Sequence, residues 1–289
     1  MSSMPVILGL ILSYSAAAQE PPQTAPPAPA PQQAVQPLLE NSGKPMVLPF
    51  ACSDEDIRWA GLSCTDEEPC PIFLELTAAN QAGKRTLVAG NIHSESVTIY
   101  SVLLASDDGG HSWNEAHERI RGSGLDHIQF FDSEIGWTTG QELFPIPQNP
   151  FLLVTGDGGK TWRLHEIFDE NSESRFGLIQ QFGLSGKKDG SLVIDRGPGS
   201  TDDRYLLFES PDAGDTWTIK QESAKPLVLK NAAIPSADWR IRTDAPSKSF
   251  HVEYREGARW NSVGAFAVQL DSCKPAPHAP GGPLPEIRQ

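Results

Sequence analysis

The stretch Ser106–Trp113, SDDGGHSW, returns as Thr155–Trp162, TGDGGKTW, and again as Ser210–Trp217, SPDAGDTW. All three follow one pattern: Ser or Thr, any residue, Asp, any residue, Gly, any residue, Ser or Thr, Trp. At ordinary residue frequencies one such match has odds of about one in a million per starting position, so three are a repeat. A β-rich run precedes each copy (IYSVLLA, FLLV, RYLLFE), and a polar–apolar alternation such as TWRLHEIF follows. The motif therefore belongs in a turn between two antiparallel strands.

That position assigns the chemistry. Asp108, Asp157 and Asp212 are short carboxylates that accept backbone N–H bonds within the turn, and Gly110, Gly159 and Gly214 supply the positive φ that other residues resist. The hydroxyls of Ser106, Thr155 and Ser210 add a local bond, and Trp113, Trp162 and Trp217 bury a flat ring against the hairpin. Trp113 and Trp162 are 49 residues apart, and Trp162 and Trp217 are 55 apart, the length of a four-stranded unit with its loops. A degenerate fourth copy, EYREGARW (Glu253–Trp260), keeps Gly257 and Trp260 but has Arg255 in the Asp place. A fainter echo links DSEIGWTT (Asp132–Thr139) with DEDIRWAG (Asp54–Gly61), and SADWRIR around Trp239 is a looser relative. All seven tryptophans thus fall in repeated settings and are expected in the core.

These residues resemble the Asp-box (BNR) repeat of β-propellers, found in sialidases, sortilin-type receptors, some glucanases and the photosystem II assembly-factor propellers. FFDSEIGWTTG is similar to the inner-strand pattern of the last group. The resemblance implies an all-β propeller with the boxes as structural turns on the outer rim, and the strand map of this chain gives a small one of four to five blades, fewer than the six or seven usual in those families. The first three blades take their strands between Phe73 and Gln221. The fourth takes Leu227–Ala232, Asp238–Arg242, Phe250–Tyr254 and Trp260–Ser262. MVLPFACSDEDIRWAGLSC and GAFAVQLDSC, from the two chain ends, are expected to form a mixed sheet that closes the ring.

Outside the repeats, residues 1–18 read as a secretory signal ending in Ala16-Ala17-Ala18, and 19–44 as a Pro/Ala/Gln-rich linker. Residues 45–273 are the folded region and 274–289 a Pro-rich tail. No later segment is long and apolar enough for a transmembrane span. A net charge of −14 repels phosphate backbones, so nucleic acid is not an expected partner. Four cysteines fit an oxidising compartment and two disulfides, with three pairings open; Cys64–Cys70 and Cys52–Cys273 are the pairings expected. Zinc-type CxxC pairs are lacking, and no cofactor or metal is expected.

A ligand site is expected on the face opposite the boxes, built from strand-connecting and blade-connecting loops. Its candidates are His93, Glu95, Arg121, Glu142, Arg175, Asp202, Asp203, Arg204 and Asp244. A sialidase signature is missing, since FPIPQ has Pro145 where Arg would stand. Tyr100, Tyr205 and Tyr254 lie on strands rather than at a nucleophile position. The expected function is a secreted or periplasmic, non-catalytic propeller that binds a protein or glycan partner, with a scaffold or assembly role. The alternative is a sialidase-like glycoside hydrolase using carboxylates among Glu95, Glu142, Asp202 and Asp244.

Overall fold

The computed structural model describes residues 38–169, 171–200, 203–230 and 238–275. The expected signal, most of the linker and tail, and Asp202 lie outside them. In chain order the elements begin with β1 (Leu39–Glu40), α1 (Asp54–Trp59), β2 (Cys70–Ala82), β3 (Arg85–His93), β4 (Thr98–Ser106) and β5 (Ser112–Glu115). Next come β6 (Ser123–Phe130), β7 (Gly136–Glu142), β8 (Gln148–Thr155), β9 (Arg163–Glu166) and β10 (Leu178–Leu184). The last are β11 (Gly190–Asp195), β12 (Tyr205–Ser210), β13 (Thr218–Ser223), β14 (Trp239–Asp244), β15 (Ser249–Glu256), β16 (Arg259–Ala267) and β17 (Gln269–Cys273).

They pair into four antiparallel sheets: I in the order β1-β5-β4-β3-β2-β17, II as β6–β9, III as β10–β13 and IV as β14–β16. β3 and β7 are buried almost without interruption because each lies in a sheet covered on both faces, whereas β13 is an exposed edge. One apolar core joins sheets I and IV through Trp113, Trp239 and Phe266. A second joins I and II through Leu87, Leu153 and Trp162, and a third joins II and III through Trp137, Leu152 and Phe182. Up-and-down sheets stacked face to face in chain order are propeller-type architecture.

Each repeated motif turns from the third strand of its sheet to the fourth and closes with the same bonds. Thr155 Oγ1 donates to Asp157 Oδ1 (2.9 Å) and accepts from Gly159 N (2.9 Å), while Thr161 donates its N–H to Oδ1 (2.9 Å) and its hydroxyl to Oδ2 (2.7 Å). Ser106, Asp108 and Ser112 repeat this, as do Ser210, Asp212 and Thr216. Every motif also presses on the preceding sheet. A Cβ on Gly110 would come within 1.9 Å of Val263 O in sheet IV, and one on Gly159 within 2.7 Å of Leu87 Cδ1 in sheet I. Gly214 faces Leu152 and Trp137 of sheet II.

Both disulfides pair as expected, Cys52–Cys273 and Cys64–Cys70. A crosslink spanning 221 residues contributes about 5 kcal/mol by restricting the unfolded chain. The two chain ends do meet, but they form no separate closing sheet among the described residues. Met46 bridges Phe266 in parallel at the edge of sheet IV, while β17 joins β2 in sheet I.

Four expectations are corrected. DEDIRW is a helix rather than a strand, because Ser53 caps it and Asp56 returns the bond in a capping box, with three acids in the first turn. Leu227–Lys230 is not a strand; after Pro226 the Gln181 amide takes Leu227 O and Leu229 N, each at 3.0 Å. Residues 231–237 lie outside the described set. EYREGARW is a plain two-residue hairpin pairing Glu256 with Arg259, since Arg255 cannot supply the carboxylate. Finally Trp59, Trp217 and Trp260 are half-buried, not core.

Candidate functional site

Most of the expected loop-face residues are committed to other side chains or to neighbouring backbone and, among the described residues, none to another of the nine. Arg121 reaches Glu55 (2.6 Å), Asp56 (3.2 Å) and the Tyr100 hydroxyl (3.1 Å), and lies over the rings of Trp59 and Tyr100. Its bond to Glu55, then that to Tyr100, pushes its pKa further up. Burial raises the Asp56 carboxyl, but bonds from Tyr100 and Ser53 outweigh that and leave it below the usual range. Arg121 is therefore the strap that fastens α1 beneath sheet I. Arg204 pairs with Asp195 at 2.6 Å, and that bond is the first cause of the lowered Asp195 pKa.

His93 contacts the Ser94 carbonyl at 2.7 Å and lies beside Phe73. Arg175 covers Phe176, Asp203 O accepts from Arg196, and Asp244 stands 3.5 Å from His251. Glu95 lines a cleft of about 370 Å³ with Leu62 and Pro69. Glu142 accepts from Asn149 at 2.7 Å and lines another of about 230 Å³ with Ile120 and Phe168. Neither cleft takes in a second of the nine residues.

What the same region does expose is apolar. Ile146, Phe176 and Leu178 are 52 %, 46 % and 48 % exposed. Gln141, at the end of the strand leading to Ile146, donates to Gly177 O at 3.0 Å, which brings the Phe176–Leu178 segment alongside β7. The helix residue Trp59 packs on Phe144 of the same loop, with ring centroids 4.8 Å apart.

A second group lies on the innermost strands and was not anticipated. β2, β6 and β10 each carry one unpaired bulge residue: Thr77, Asp126 and Gln180. These stand 31, 31 and 32 residues before Asp108, Asp157 and Asp212, a regularity that could have been read from the sequence. Asp126 is solvent-exposed yet closely surrounded by protein, so desolvation raises its pKa; His127 opposes that rise and Glu75 adds to it. His127 stacks on Phe182, and with Thr77, Ile128 and Trp239 it lines a small cavity of about 140 Å³. Among the described residues no group of three or more His, Cys, Asp or Glu is placed to hold a metal ion, and no helix is long and apolar enough to cross a membrane.

No family model matches the chain, and no curated protein matches it. Among solved structures it is similar to YCF48 bound to a D1 peptide, at 16% identity and TM-score 0.38, over 67% of this chain and 56% of that one. An α-L-arabinanase of Penicillium chrysogenum with arabinobiose gives 12% identity and TM-score 0.35, over 78% and 64%. The GH74 xyloglucanase of Xanthomonas campestris gives 14% and 0.32, over 65% and 27%. The chain spans less than two thirds of each of these proteins. At such identities and TM-scores the sheet topology, not the likeness, defines the fold.

Proposed function

We propose that the chain is a small Asp-box propeller of four blades, closed by both chain ends and exported to an oxidising compartment, whose loop face binds a protein partner without catalysis. The three turns closed by the same Ser/Thr–Asp–Gly bonds, each seated on another sheet, support the Asp-box reading, and the two disulfides support the compartment. The observation that carries the binding reading is the exposure of Ile146, Phe176 and Leu178 on a face where Arg121, Glu142, Arg204 and Asp244 are tied to internal partners. The assembly-factor resemblance of FFDSEIGWTTG adds a scaffold role.

Affinity capture from an envelope extract tests this, comparing wild type with Ile146→Asp/Phe176→Asp. The double variant keeps its circular dichroism spectrum and loses the captured protein. Equal recovery by both overturns the loop-face assignment.

A second reading has one specific observation behind it. Asp126, its pKa raised and Glu75 nearby, fits the divided carboxylate roles of a glycoside hydrolase. Release of nitrophenol from nitrophenyl glycosides by wild type but not by Asp126→Asn would favour hydrolysis over scaffolding.

A further inference from the structure

Sheet IV has two unlike faces. Trp239, Ile241, Val252 and Phe266 enter or pack on the core shared with sheet I. The alternate positions, Arg240 and Arg242 on β14 with Glu253 and His251 opposite them on β15, lie on the other face. There the Glu253 side chain, only 9 % exposed, accepts from Arg240 Nε at 2.6 Å and from Arg242 Nε at 3.0 Å. Arg240 is also held over the Trp260 ring, 4.2 Å from its centroid. Arg255, paired across the hairpin with Trp260, adds a third cation.

One buried carboxylate beneath two arginines gives little stability that well-packed apolar side chains would not also give. What it does give is orientation. Each guanidinium is fixed through its Nε, so its two outer nitrogens donate no hydrogen bond among the described residues, and both side chains are 42 % exposed. Of the neighbouring charges, Asp244 approaches Arg242 only to 4.0 Å and is itself beside His251. Glu253 lies between the two guanidiniums and Asp244 stands at the far side of Arg242, so what the pair presents outward is guanidinium edge rather than an excess of positive charge.

Planar forks held in this way match carboxylates. Two arginines at alternate strand positions are about 6.6 Å apart, the same spacing as alternate side chains of an extended peptide. Arg240 occupies the indole face on which a sugar ring would stack. We propose that Arg240 and Arg242 form a binding site for an extended acidic peptide segment with carboxylates at alternate positions. This goes beyond the loop-face reading and uses a different sheet.

The test uses the full chain and an acetylated, amidated peptide Gly-Ser-Glu-Thr-Glu-Ser-Gly, its Gln/Gln counterpart and sodium glucuronate, followed by isothermal titration. The Glu peptide binds wild type at least tenfold tighter than the Gln peptide, and Arg242→Met removes roughly that tenfold. Arg242→Lys, which keeps the charge without the fork, lies between, and Arg163→Met on sheet II leaves affinity unchanged. Melting curves verify that each variant is folded. Equal affinity for both peptides, or wild-type binding by folded Arg240→Met/Arg242→Met, overturns the proposal. Displacement of the peptide by glucuronate at an equal concentration overturns its peptide class in favour of an acidic sugar.

Discussion

The junctions between sheets I and II and between II and III differ from that between III and IV in kind. At the first two, amide side chains of one sheet reach into the next: Asn80 donates to Ile128 O at 3.1 Å, and Gln129 accepts from Leu184 N at 2.9 Å. Asn91 accepts from Leu125 N and Gln141 donates to Gly177 O in the same sense. In sheet III the corresponding places hold Gly183, which has no side chain, and Arg196, which turns back to Asp203 O of its own loop. The motif that would press sheet IV onto sheet III has lost its Asp. Polar and charged side chains occupy the surfaces instead: Ser185, Ser191 and Glu209 line two clefts on sheet III, and Arg240 and Arg242 stand on sheet IV. Among the described residues, the first two junctions have both an apolar core and backbone-directed amides, and the junction of III with IV has neither. Sheet IV is held from its other side, by the core shared with sheet I and by the Met46 bridge.

The sharpest way to break this contrast is one methyl group. Gly110→Ala places Cβ at 1.9 Å from the Val263 carbonyl, in a backbone with φ +92°, so sheet IV must move away from the first motif. A loss of about 3 kcal/mol is expected, lowering Tm by about 6–12 °C for a domain of this size. Gly257→Ala, in the degenerate hairpin, meets nothing within 4 Å and carries only the left-handed backbone penalty of φ +60°, about 1 kcal/mol. Equal melting shifts for the two variants would mean that the first motif does not clamp sheet IV.

What was legible in the sequence was what short stretches dictate. The turn motif encodes its own hydrogen bonds, so the strands around Asp108, Asp157 and Asp212 were expected within a few residues of where they lie. Cys52–Cys273 followed from the two ends of the folded region having to meet, and Cys64–Cys70 from the short stretch CTDEEPC that it closes. The rest depends on partners far away in sequence. DEDIRW and DSEIGW share a pattern, yet Ser53 makes one a capped helix, while in the other Asp132 accepts from Glu134 N and Ile135 N in a turn before β7. Arg121 looked like a free loop cation, and only packing reveals its strap to α1. The Arg240–Glu253–Arg242 fork needs the β14–β15 register, which no local signal supplies.

An acid titration sharpens the comparison at the level of single carboxylates. Burial raises Asp157, but bonds from Thr161, Thr155 and Lys160 outweigh it and hold the carboxyl down at about 2, and Asp108 is held at about 2 in the same way. A carboxyl lowered in the folded state stabilises above its unfolded pKa, near 3.8, and that stability is lost as pH falls towards about 2. Asp126, raised by desolvation, has the opposite sign: its contribution improves on acidification. Denaturant midpoints between pH 5 and 2 therefore fall for wild type, less steeply for Asp157→Asn and more steeply for Asp126→Asn. Parallel slopes in all three would contradict the assignment of these groups.

The smallest effect concerns the third motif alone. Its fourth position holds Ala213 at φ 66°, where the other two have Gly109 at 71° and Gly158 at 75°. A left-handed alanine costs about 1–2 kcal/mol, while glycine gives back about 0.4–1 kcal/mol through its freer unfolded chain. Ala213→Gly is thus expected to stabilise by about 0.5–1 kcal/mol, a rise of about 1–4 °C in Tm. The same motif lacks the indole bond of its siblings: Trp113 and Trp162 donate to Gly110 O and Gly159 O, whereas Trp217 Nε1 has no partner among the described residues. If the alanine is what holds the turn out of register, Ala213→Gly also restores that bond, seen as slowed exchange of the Trp217 indole N–H. A stabilised variant whose indole still exchanges fast would separate the two defects and leave the half-exposed ring of Trp217 as the cause of the second.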